Sequence, residues 1–140
     1  MTLNFRAVLA GLVVDLVGVI IASAIFVTIF VSNMSAKGAT DEEIRALLSN
    51  PFESSTLTFI LLSIGVLFDG VAGYVTAHRA GYLEYWHVLA MLGLLIIIQV
   101  AMSSGGPSVP GMVYAVSYIG GGAAAFYGAW LVKNKRTSGS

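Results

Sequence analysis

The chain of 140 residues has no cysteine. Disulfides, iron–sulfur clusters and thiol nucleophiles are therefore excluded, while the redox compartment stays open. Charge is also scarce: Asp, Glu, Lys and Arg make up 10% of the residues, against about 25% in a soluble domain. So few charges cannot cover the surface of a water-soluble fold. The net charge is zero, and no basic block is long enough to follow a phosphate backbone, so no nucleic-acid partner is expected. Nor is there a nucleophile beside a base or a constellation of metal ligands. Gly105-Gly106 and Gly120-Gly121-Gly122 follow no strand and carry no nucleotide signature. The expectation is a protein that is not an enzyme and holds no cofactor or metal.

What the chain has in quantity is apolar residues, at 57%, with a mean hydropathy of +0.88. The length prior gives one domain. Four runs reach about 20 residues, enough at 1.5 Å per residue to cross a hydrocarbon core of about 30 Å. They lie near residues 7–31, 57–79, 82–102 and 111–132. Backbone groups in lipid must be satisfied internally, so each run is expected to be a helix. The expected fold is an all-α integral membrane four-helix bundle occupying residues 1–136, with a disordered tail over 137–140. Ala22-Ser23-Ala24 matches a signal-peptidase site. It sits inside the first run, however, and an h-region would not hold Asp15, so that run is read as a retained span.

The connections set the orientation. Arg6, Arg79, Lys133, Lys135 and Arg136 fall on one side, and only Lys37 and Arg45 on the other. By the positive-inside rule both ends of the sequence are cytoplasmic, in a cell inner membrane. Tyr82, Tyr85, Trp86, Tyr127 and Trp130 collect at that same interface. Between the first two spans, Thr40 and Glu43 form a capping box and Ile44, Leu47 and Leu48 recur at helical spacing up to Asn50-Pro51. This predicts a short extracytoplasmic amphipathic helix, lying on the membrane surface or capping the bundle.

Small residues mark where membrane helices approach closely. Ala7, Gly11, Asp15, Gly18 and Ala22 form one face of the first span. Gly65, Asp69, Gly73 and Thr76 form one face of the second, and Gly120, Ala124 and Gly128 one face of the fourth. Gly11, Gly18, Gly65, Gly73, Gly120 and Gly128 are thus the expected packing glycines. Asp15 and Asp69 share those faces, each about 14 Å from the basic interface. A central Asp costs about 2.5–3.5 kcal/mol on insertion, and no Lys or Arg lies within the spans to offset it. Three arrangements would make the acids tolerable: a neutral hydrogen-bonded pair, a proton or cation path, or a basic side chain supplied by a partner. Glu84 and His87, at i, i+3, suit an interfacial hydrogen bond with each other, and His87 suits a proton relay to Asp69.

The segment Gly73-Tyr74-Val75-Thr76-Ala77-His78-Arg79-Ala80-Gly81, with Asp69-Gly70 upstream, resembles the end of the second helix in uncharacterised small bacterial four-span membrane proteins. The resemblance covers about a third of the chain. It implies a bacterial four-span protein and no activity. The leading functional expectation is a structural or accessory subunit in the lipid bilayer, associating through its Gly-rich faces as a homo-oligomer or within a larger membrane complex. The alternative is a proton- or cation-coupled transporter or channel subunit using Asp15 and Asp69.

Overall fold

The computed structural model describes residues 3–103 and 109–138, and every regular element among them is helical. The order is α1 (Phe5–Ala36), α2 (Asp41–Ser49), a 3-10 turn (Pro51–Glu53), α3 (Ser55–Ala80), α4 (Glu84–Ser103) and α5 (Gly111–Ser138). α1, α3, α4 and α5 are long and apolar enough to cross a membrane. Most large apolar side chains on their outer faces, such as Ile20, Ile25, Phe59, Ile97 and Ile119, are exposed, as a bundle solvated by lipid requires.

The helices outrun the apolar stretches that predicted them, because their ends are capped by polar residues. Asn4 N-caps α1, its side chain accepting from the Ala7 N–H, and Ser54 does the same for α3 through the Leu57 N–H. α3 ends on Gly81, whose φ of 76° is the left-handed conformation of a helix C-cap. α5 continues through the expected tail to Ser138. There the Thr137 and Ser138 hydroxyls each bond back to the Asn134 carbonyl at 2.9 Å. The rest of that tail, Gly139 and Ser140, and most of the Gly/Ser/Pro connection before α5 lie outside the described residues.

α2 carries the capping box in full: Thr40 Oγ1 accepts from the Glu43 N–H, and Glu43 Oε2 accepts from the Thr40 N–H at 2.8 Å. Ile44 is its one buried residue. Among the described residues α2 touches only α1 and the 3-10 turn. It therefore rests beside the end of α1 and does not cap the bundle.

α3 is the hub. It packs along α5 and α1 and also meets α4, while α1 and α5 do not meet among the described residues. Close approaches give the directions. Gly11 faces Ala72 and Thr76, and Gly18 faces Phe68, so α1 and α3 are antiparallel. Val66 faces Gly120, Gly70 faces Ala124, and Gly73 faces Ala125, so α3 and α5 are parallel. Asn4 bonds to His87, which puts the starts of α1 and α4 at one end. Successive long helices thus alternate in direction. The start of α1, the α3–α4 turn and the end of α5 gather at a single, basic end.

The core is built where backbones come closest. On α1 the buried residues are Ala7, Val8, Gly11, Leu12 and Asp15, all in its first half. A Cβ on Gly73 would fall 2.6 Å from the Ala125 Cα, and one on Gly128 2.7 Å from the Tyr74 nitrogen, so hydrogen is the only side chain that fits either position. Two of the expected faces are corrected by this packing. A Cβ on Gly65 would meet nothing within 4 Å, because α3 turns that position away from both neighbours. On α5 the buried line is Gly121, Ala125, Gly128, Ala129 and Val132, rotated one residue from Gly120, Ala124 and Gly128. Gly120 is only half-buried, and a Cβ there would sit 3.2 Å from Val66.

Candidate functional site

Asp15 stands on the buried face of α1, one turn beyond Gly11. Gly11 is where the helix comes down on α3 and α4: a Cβ there would lie 2.8 Å from the Ala72 carbonyl and 2.7 Å from Met91 Sδ. That approach carries Asp15 inside with it, leaving the residue 5% exposed. Its Oδ1 is buried and has no hydrogen-bond partner. Buried polar atoms are almost always paired, and an unpaired carboxylate oxygen costs several kcal/mol in an apolar interior.

Asp69 stands on α3 and is half-buried. Because α1 and α3 are antiparallel, with Gly11 opposite Ala72 and Gly18 opposite Phe68, Asp15 is level with the Asp69 turn. The two carboxylates lie within range of mutual electrostatic repulsion. Asp69 is also pressed towards α5, where a Cβ on Gly121 would collide with its Oδ2. Gly121 therefore supplies the space that the carboxylate occupies. The face expected from the sequence holds its neighbour Gly120 instead of Gly121. The signal was present in the spacing, since Gly121, Ala125 and Gly128 step by four and three.

Among the described residues no hydrogen-bond donor reaches the buried Asp15 Oδ1. Neither acid has an ion-pair partner among the described residues, whose one ion pair is Arg136–Glu84 at the basic end. What remains is two acids at one depth, with one oxygen buried and unsatisfied.

The polar residues below them are arranged differently. Thr76 is buried, and its hydroxyl donates to Met91 Sδ at 3.1 Å. His87 is also fully buried. Its Nε2 accepts the Asn4 backbone N–H at 2.8 Å, which assigns the ring proton to Nδ1, 3.0 Å from the Leu83 carbonyl that accepts it. Leu83 has a φ of 49°, uncommon for a side chain of its size. Its carbonyl accepts from the Trp86 and His87 N–H groups as well, and these bonds hold the turn. Glu84 does not bond to His87. It accepts from Arg136 Nη1 at 2.7 Å, while Arg136 Nη2 donates to the His78 carbonyl at 3.0 Å.

These contacts correct two expectations. The Glu84–His87 hydrogen bond is replaced by a clasp of Glu84, Arg136 and His78 that ties α3, α4 and α5 together. The relay from His87 to Asp69 is not built, because both ring nitrogens end on backbone groups, and Thr76 and Met91 stand between His87 and the acids. Among the described residues no group of three or more His, Asp or Glu side chains is placed to hold a metal ion.

No protein-family profile matches the chain, and no curated protein or solved structure shows significant similarity to it.

Proposed function

We propose that this is an inner-membrane protein, with the basic end of the bundle on the cytoplasmic side and α2 outside, whose Asp15–Asp69 pair binds a proton or small cation within the membrane. One observation carries the reading: Asp15 Oδ1 is buried without a partner beside a second acid. Two acids at mid-membrane with no basic residue to neutralise them call for a positive species from outside the chain. The orientation rests on the cluster of Arg6, Arg79, Lys133, Lys135 and Arg136 at one end.

The same acids would accept a basic side chain from a partner protein, and this is the second reading, an accessory subunit. Its favouring observation is that Asp69 is only half-buried and open to approach. Asp15, at 5% exposed, admits something far smaller than a Lys or Arg side chain. Four of the six glycines that suggested an accessory role are engaged within the chain: Gly11, Gly18, Gly73 and Gly128 each lie against another helix of the same bundle. Association with other proteins would have to use other surfaces, so the proton or cation reading is preferred.

Reconstitution in proteoliposomes tests it. Asp15→Asn and Asp69→Asn should each assemble normally and abolish a pH- or cation-driven flux that the unaltered chain supports. Normal flux in both variants would reject the reading. Loss of a co-purifying partner in both, without any flux to lose, would favour the accessory role.

A further inference from the structure

α4 and α1 cover α3 on one side and leave the seam between α3 and α5 open on the other. Along that seam runs a groove of about 690 Å³, to which neither α1 nor α4 contributes a residue. Its floor is made by the glycines that let the two backbones touch, Gly70 and Gly128, together with Ala124. Its walls are apolar, from Phe59 and Val71 to Leu131. From Phe59 to Tyr74 it extends roughly 22 Å along α3, longer than the roughly 15 Å that the chains of one leaflet occupy.

The groove is not apolar throughout its surroundings. Both walls continue, one helical turn beyond their last lining residue, into polar groups at the basic end. On α3, Tyr74 leads to His78, whose ring stacks on it with centroids 6.0 Å apart. On α5, Leu131 leads to Lys135, whose Nζ lies 5.6 Å from the centre of the Tyr74 ring. Lys135 has no carboxylate partner among the described residues, in contrast to Arg136, which is paired with Glu84. Tyr127, another wall residue, stacks on Trp130 at 5.6 Å, an aromatic pair of the kind that settles at headgroup depth. A long apolar slot thus opens at one end onto an unpaired cation framed by aromatic rings.

The geometry points to a bound anionic phospholipid in the α3–α5 groove, its acyl chain lying over Gly70, Ala124 and Gly128 and its headgroup phosphate held by Lys135 beside His78. The glycine floor serves two ends at once. It brings the helices together, and it leaves a channel without side chains into which a hydrocarbon chain fits. The charge at the mouth selects an anionic headgroup over a zwitterionic one, since a basic residue at this depth favours an anionic lipid about five-fold. The site is separate from the acid pair, neither member of which lines the groove.

Native mass spectrometry of the full chain, incubated with phosphatidylglycerol and phosphatidylcholine of identical acyl chains in equal amounts, tests the assignment. A phosphatidylglycerol adduct should dominate. Lys135→Ala should reduce that preference by about five-fold, and Lys135→Arg should keep it. Val71→Trp, at a lipid-exposed wall position, should fill the slot and remove the adducts of both lipids, while Asp15→Asn leaves them unchanged. Equal retention of both lipids by the unaltered chain would overturn the proposal, as would retention in the Val71→Trp variant. A lipid-independent dimer broken by Val71→Trp would assign the groove to a second copy of the chain instead.

Discussion

The basic end of the bundle and its middle treat polar side chains in opposite ways. At the basic end His87 spends both ring nitrogens on backbone groups, Arg136 clasps Glu84 and a carbonyl, and Thr76 finds the sulfur of Met91. A turn or two higher, Asp15 is as deeply enclosed as most of these, yet its Oδ1 has no partner. Both regions belong to one fold built from the same close-packed helices, so loose packing does not explain the difference. Pairing marks groups that hold the structure together. On the proposed reading, an unpaired buried acid is a group whose partner arrives from elsewhere.

Substitutions that separate the two kinds of site sharpen this contrast. The largest effect is expected between them, in the shared scaffold: Gly73→Leu drives a side chain into the α5 backbone and should cost about 3 kcal/mol or more, read as unfolding in a detergent titration. His87→Ala strips the Asn4 N–H of its acceptor and should destabilise by about 1–3 kcal/mol in the same titration, with any flux retained by the folded fraction. Asp15→Leu should behave in the reverse manner. By removing an uncompensated acid it should leave stability unchanged or raise it by about 1–2 kcal/mol, while flux is lost. A strongly destabilised Asp15→Leu protein would place this acid with the structural groups and collapse the contrast. The smallest effect belongs to Gly65→Ala. It adds a methyl where nothing lies within 4 Å, and it should stabilise α3 by about 0.5–1 kcal/mol, seen as a slight upward shift in thermal midpoint.

Much of the architecture was legible in single residues. Four apolar runs announced the long helices, Thr40 and Glu43 the start of α2, and the steps through Gly11, Asp15 and Gly18 the face by which α1 enters the bundle. Two acids in apolar runs were visible at once. Less visible was anything that depends on which helix meets which. Periodicity assigns a residue to a face, but it does not name the partner or the helix's rotation against it. One residue of rotation, about 100°, separates Gly120 from Gly121, and it decides which of them makes room for Asp69. The His87–Asn4 bond spans 83 positions, and local spacing instead suggested Glu84 as the partner of His87. Gly65 fell on a plausible line four residues before Asp69, but that line runs out of neighbours.

Asp15 and Asp69 are proposed to form one site. Carboxyl titration in lipid bilayers, followed by infrared or carbon NMR signals assigned with the Asn variants, tests it most directly. Two acids sharing one site titrate as a coupled unit, so the curve of Asp69 should move when Asp15 is replaced by Asn, and that of Asp15 when Asp69 is replaced. Curves that stay where they were in both variants would show two independent acids and contradict the shared site.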